Sequence, residues 1–192
     1  MSIRRIQMAL LAVIFLLGSM SFATLAQDKP MPEAYSAVAR GTGGSVGGKT
    51  AQFDFRVTQY TTDDELANFA QLLKEKGTDA LRRALEKEDK GRVNVVGSTG
   101  NQIAVVRKRQ EGADTIITIV TARTMPFMEL YNGGRTTDYP FGYLHVKLSG
   151  SEPGTGQIMA AAKIKFDKKK GQYVIESYGN QYIKVVNVRP SK

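Results

Sequence analysis

The sequence predicts an α+β domain, a mainly antiparallel sheet of seven to nine strands curled into a sandwich or partial barrel and covered by a two-helix insert. Three observations carry this. β-Branched runs at Ile103–Val106 and Thr115–Thr121 flank a polar segment containing Gly112. That is a hairpin pattern, because branched side chains fit a pleated surface and glycine relieves the turn. Further segments with a two-residue period follow toward the C-terminus. A single stretch of helical period, residues 62–90, interrupts them, and helices grouped in this way give α+β rather than alternating α/β.

The chain opens with Arg4 and Arg5, an apolar run from Met8 to Leu17, and small residues ending Thr24-Leu25-Ala26. Basic, apolar and small-residue regions in that order predict a secretory leader over 1–26, cleaved after Ala26. Its apolar run is short against the ~20 residues that a membrane-spanning helix needs. No later segment is apolar enough to cross, so no transmembrane segment is expected after cleavage, and the expected location is periplasmic or extracellular. The 192 residues contain no cysteine. Disulfides and cysteine lipidation are thereby excluded, and stability must come from buried apolar area. The length suits one domain. It is expected over 35–189, after a linker at 27–34 marked by Pro30 and Pro32, with a tail at 190–192.

Tyr35–Arg40 reads as the first strand. Gly43–Thr50 then satisfies the phosphate-loop pattern G-x-x-x-x-G-K-[ST]. That loop works only when a helix starts at its Lys-Thr, aiming its N-terminal N–H groups at the phosphate. Phe53, Phe55 and Val57 instead alternate with polar residues, which is strand period, so a glycine-rich bend between strands is expected and no nucleotide. Thr62-Asp-Asp-Glu65 fits a capping box. Leu66, Phe69, Ala70 and Leu73 follow on one helical face, and Gly77 ends that helix. A second helix has Leu81, Ala84 and Leu85 inward and ends near Lys90-Gly91. Strands are expected at Arg92–Val96, through the Gln102–Arg123 hairpin region, and at Tyr143–Leu148, Gln157–Phe166, Gln172–Ser177 and Tyr182–Val188. In the Gln157–Phe166 strand, Ile158, Ala160, Ala162, Ile164 and Phe166 are expected inward, with Lys163 and Lys165 outward.

At Ser98–Arg109, Asp138–Gly142 and Ala161–Asp167 the chain resembles a group of uncharacterised exported bacterial proteins. The resemblance spans about residues 35–188. It implies a single exported domain and brings no activity and no functional residue with it.

Charge is uneven. Formal net charge is +9, and removal of the leader would take away Arg4 and Arg5. Residues 62–90 hold eight acids and six bases, while residues 91–192 hold fifteen bases and seven acids. A basic sheet suits an anionic partner, although lysines on outward strand faces also keep sheet edges soluble. The clusters Arg107-Lys108-Arg109 and Lys168-Lys169-Lys170 lack interleaved aromatics, so nucleic acid is not expected.

With one histidine and no cysteine, hydrolytic triads and most transition-metal sites lack their usual groups, and neither metal nor cofactor is expected. His145 falls on the polar face of its strand, between Tyr143 and Lys147, and reads as a solvated residue. Glu129, Asp138 and Glu176 are acids outside obvious surface turns and helices. Two of them at a set separation would serve a glycosidase-like hydrolase. The loop Arg135–Gly142 offers a different chemistry. Arg135, Asp138, Tyr139 and Phe141 flank Pro140, and exposed aromatics beside charge make a recognition surface at low entropic cost. The opposing reading folds both rings back to plug the sheet.

The favoured class is therefore a non-catalytic binding or envelope-associated module for a small amphipathic ligand or an anionic envelope component. The alternative is a hydrolase using paired carboxylates. A binder is expected to hold an apolar cavity between sheet and helices, lined by residues such as Phe55, Ile117 and Ile164. An enzyme is expected to show a polar cleft with convergent acids.

Overall fold

Two β-branched runs around Gly112 do form a hairpin, and it lies within one continuous antiparallel sheet. The computed structural model describes residues 32–42, 47–127, 137–180 and 182–191. In chain order the elements are β1 (Glu33–Arg40), β2 (Thr50–Val57), α1 (Asp63–Lys76), α2 (Thr78–Leu85), β3 (Gly91–Val95), β4 (Asn101–Glu111), β5 (Asp114–Thr121), β6 (Phe141–Ser149), β7 (Gly154–Asp167), β8 (Gln172–Ser177) and β9 (Ile183–Pro190). Neighbours run β6-β5-β4-β3-β2-β1-β9-β7-β8, and β6 also pairs with β7. Every strand but β8 therefore joins a closed barrel, which replaces the sandwich or open partial barrel expected from sequence. β8 hangs outside it on the distal half of β7.

The barrel interior is filled with side chains, as expected for a closed sheet of this size. Tyr35 stacks on Phe55 with ring centroids 4.8 Å apart, and Phe53 meets the edge of Phe127 at 5.2 Å. Ile117, Ile119, Leu144, Val146 and Ile158 complete the packing, all fully buried. Met125 and Phe127, on the chain leaving β5, plug one end, with the Met125 N–H donating to the Ala160 carbonyl at 2.8 Å.

The helices cover the outside of the wall. Leu73, Leu81 and Leu85 pack on Ala104, Val105, Val120, Ala122 and Met159. The capping box forms as its spacing predicts: the Glu65 N–H donates to Thr62 Oγ1 at 3.2 Å, and the Thr62 N–H donates to Glu65 Oε2 at 2.8 Å. The first turn of the predicted apolar stripe stays in solvent, with Leu66 39% exposed.

Two bulges let the same strands face both cores. In β4, Ile103 opposes Thr121 but Val105 opposes Val120, so Ala104 and Val105 both turn outward while Ile103 and Val106 point in. In β7, Met159 opposes Tyr143 but Ala162 opposes Phe141. Ala160 and Ala161 both join the interior, after which the alternation is inverted. Ala162 and Ile164 therefore face the helices, and Lys163 and Lys165 lie on the inward, concave side. This corrects the single inward face expected for Ile158–Phe166.

Glycine is required where strands approach closely. A Cβ on Gly156 would lie 2.1 Å from the His145 carbonyl oxygen, and one on Gly91 (φ 131°) would lie 1.9 Å from that of Arg56. At the N-terminus, β1 starts at Glu33, inside the stretch expected to be linker. The phosphate-loop pattern joins β1 to β2: the Gly41 N–H donates to the Lys49 carbonyl at 2.9 Å, and Thr50 opens a strand rather than a helix. Residues 43–46 of that pattern lie outside the described residues.

Candidate ligand-binding face

Beyond Ala162, β7 leaves the barrel and pairs only with β8, forming an arm with two faces. One face is held by the helices. Lys74 Nζ sits 5.4 Å from the centre of the Phe166 ring, Phe166 packs on Tyr173, and the Tyr173 hydroxyl donates to the Ala70 carbonyl at 3.0 Å. Thr78, the first residue of α2, donates its hydroxyl to the Ile164 carbonyl at 3.1 Å. With that face engaged, the other is presented over the plugged end of the barrel.

That second face carries Lys163, Lys165, Val174 and Glu176, with Lys163 directly opposite Glu176 and Lys165 opposite Val174. The loop before β6 brings Tyr139 beneath it. Lys163 Nζ lies 5.9 Å from the Tyr139 ring centre, and Tyr178, in the 3-10 turn after β8, meets the same ring edge-on at 5.4 Å. Both tyrosines are half-buried against the barrel core. Lys165 Nζ pairs with Glu176 at 2.6 Å, and this hydrogen bond raises the lysine pKa above its ordinary value. The result is a half-buried aromatic pair with the Lys163 ammonium over one ring, beside a second ammonium, Lys165, that is already paired with Glu176.

Of the residues singled out from sequence, Tyr139 and Glu176 meet on this face. Asp138 is exposed next to Tyr139 in the chain. Phe141 is fully buried as the first residue of β6, within the cluster under the helices, so it supplies packing rather than contact surface. Of the two rings flanking Pro140, one therefore plugs the wall and the other stays half-open. Arg135 and Glu129 lie outside the described residues. The apolar cavity expected between sheet and helices is replaced by two separate cores: Phe55 and Ile117 lie inside the barrel and Ile164 outside it.

The two basic clusters have different fates. Arg107 donates to the Thr61 carbonyl at 2.7 Å and pairs with Asp63, Lys108 turns inward to Glu33, and Arg109 pairs with Glu111 at 2.7 Å. Lys168–Lys170 are exposed on an ordered turn, where Asp167 Oδ1 accepts the N–H groups of Lys169 and Lys170 at 2.9 and 3.2 Å. His145 is half-buried rather than solvated. It lies parallel to Tyr143, and burial, then the Arg109 charge, lowers its pKa below the ordinary histidine value.

Two features went unnoticed in the sequence. The first is a polar cluster at the opposite end of the barrel. Glu33 accepts from the Tyr35 hydroxyl at 2.7 Å and from Lys108 Nζ at 2.9 and 3.1 Å, with Lys108 5.7 Å from the Tyr60 ring centre. The Tyr60 hydroxyl is buried there without a hydrogen bond of normal geometry. Burial first, then Glu33, raises the pKa of both phenols. The second is a groove of about 380 Å³ between the end of α2 and the β3–β4 turn. It holds Arg92 and Arg123 alongside Glu86 and Glu88, but both acids are engaged, by Arg82 and Lys90. Among the described residues, no group of three or more His, Cys, Asp or Glu side chains is arranged to hold a metal ion, and no helix is long and apolar enough to cross a membrane.

Compared with known protein families, curated proteins and solved structures, the chain matches none.

Proposed function

We propose that this protein is a non-catalytic, envelope-associated binding module, exported behind a leader cleaved near Ala26, that takes an anionic amphipathic ligand on the concave face of the β7–β8 arm. The observation that carries this reading is the Tyr139–Tyr178 ring pair with Lys163 Nζ 5.9 Å from the Tyr139 ring centre and Lys165 on the same side of the arm. A ligand with a negative head and an apolar body would set the head on the Lys163 ammonium and the body on the rings, with Lys165 held by Glu176. The exposed lysines at 168–170 add attraction, which acts over about 8 Å at physiological salt and so speeds encounter more than it holds the complex. Carboxylate hydrolysis is the weaker reading because Glu176 is committed to Lys165.

The test uses phosphatidylcholine vesicles with and without phosphatidylglycerol. Binding is expected only to the anionic vesicles. Tyr139→Ala should weaken it at low and high salt alike while leaving a cooperative melt. Lys168→Glu with Lys169→Glu should slow association at low salt and leave the high-salt affinity nearly unchanged. Equal binding of wild type and Tyr139→Ala would sink the proposal.

A further inference from the structure

Each strand of the barrel pairs on both sides for at least part of its length, whereas β8, among the described residues, pairs with β7 alone. Exposed edges are ordinarily blunted by lysine, proline, a bulge or a covering segment, because their unpaired N–H and C=O groups template further pairing. Gln172–Ser177 carries no lysine or proline, and it pairs with β7 without a register shift. Its one charge, Glu176, is engaged by Lys165. Two large apolar side chains stand out along it, Tyr173 at 47% and Ile175 at 37% exposure. They share one face of the strand, and Tyr173 is already fixed by Phe166 and by its hydrogen bond to the Ala70 carbonyl. An added strand would thus meet ordered contact surface at alternate positions and gain main-chain hydrogen bonds along the edge.

We propose that the outer edge of β8 over Gln172–Glu176 accepts an extended acidic peptide as a further antiparallel strand. Charge selects this occupant. The turn at Lys168–Lys170 stands exposed at the start of β8, where the C-terminal end of an antiparallel guest would lie. A second copy of this chain would bring another strongly basic molecule, at formal net charge +9, to the same edge. The guest is therefore a segment with alternating β-branched residues and acids at its C-terminal end. This inference does not rest on the ring-pair face, since Tyr139 and Tyr178 take no part in it.

The probe is a fluorescein-labelled peptide, Thr-Val-Thr-Val-Thr-Val-Glu-Glu-Asp, titrated against the full-length protein and followed by anisotropy. Two analogues carry backbone N-methyl groups on alternate residues, in opposite phases. Pairing through one edge requires that one phase bind nearly as well as the parent and the other lose at least about tenfold, the worth of one or two main-chain hydrogen bonds. A third analogue with its acids moved to the N-terminus should bind more weakly than the parent. Lys168→Glu with Lys169→Glu and Lys170→Glu should abolish that preference without changing the melt, because all three side chains are exposed. Tyr139→Ala should leave peptide binding intact, which separates a failure here from a failure of the ring-pair reading. Equal loss from both methylation phases would overturn the proposal, and so would no binding of the parent peptide. A dimer that excludes the peptide would assign the edge to a second copy and overturn it too.

Discussion

Lys108 sets its ammonium 2.9 and 3.1 Å from the two carboxylate oxygens of Glu33, a residue 75 positions earlier in the chain. The contact ties the first strand of the barrel to the hairpin on which the sheet is built. Burial acts to raise the Glu33 pKa, but hydrogen bonds from Tyr35 and Lys108, with the lysine charge, outweigh it and hold the carboxyl below its ordinary value. A carboxylate whose pKa is lower folded than unfolded adds stability above the unfolded value, about 4.3, and loses it as pH falls through the folded one. Melting temperature should therefore drop on acidification below about pH 4–5, and less steeply in Glu33→Gln. Lys108→Met leaves the carboxylate buried and unpaired, at an expected cost of about 3 kcal/mol by denaturant titration. That is the lower end for a broken buried pair, because the Lys108 side chain is 24% exposed.

Phe141→Ala should cost about 3–5 kcal/mol by chemical denaturation, the range for emptying a buried ring site. Tyr139→Ala should cost clearly less, since that side chain is only half-buried. Similar losses at both positions would mean that both rings are structural plugs.

Gly156→Ala forces a methyl group toward the His145 carbonyl, and the backbone of β6 cannot step aside without disturbing the packing of Val146. The expected loss is about 3 kcal/mol, the upper part of the usual range for one substitution. Gly112→Ala is the control: its Cβ would meet nothing within 4 Å, and only its φ of 62° penalises the change.

Lys49→Ala should leave the melting temperature unchanged, with or without magnesium ATP. The helix that would aim N–H groups at a phosphate is replaced by β2, starting at Thr50. An ATP-dependent rise in melting temperature, lost in the variant, would refute this.

Local pattern made much of the fold legible. The runs at Ile103–Val106 and Thr115–Thr121, the capping box at Thr62–Glu65 and the stop at Gly77 each depend on neighbours within a few residues, and each formed as its spacing dictates. What sequence left open was long-range. Closure requires β1 to meet β9 and β6 to meet β7, and no residue of those strands announces its partner. The bulge at Ala160–Ala161 inverted the expected faces of β7, because one extra residue resets an alternation that reads as continuous. Lys108 lay hidden in a run of three bases, since only its position on the inward face with Val106 separates it from Arg107 and Arg109. Pro30 and Pro32, just before Glu33, suggest a linker and so hide the start of β1. The loop around Pro140 offered two rings, and sequence does not say which of Tyr139 and Phe141 turns inward.

The pairing of β9 with both β1 and β7 has a kinetic consequence. β9 is the last of the nine described strands to be made and the keystone of the ring, so the barrel cannot close until that strand has left the ribosome. A product truncated before Ile183 would lack Ile183, Val185 and Val188 from its interior and would expose two adhesive edges at once. Such fragments should aggregate rather than persist as smaller folded units. The domain should fold slowly for its size, because its closing contacts join β1 to β9, about 150 residues apart in the sequence.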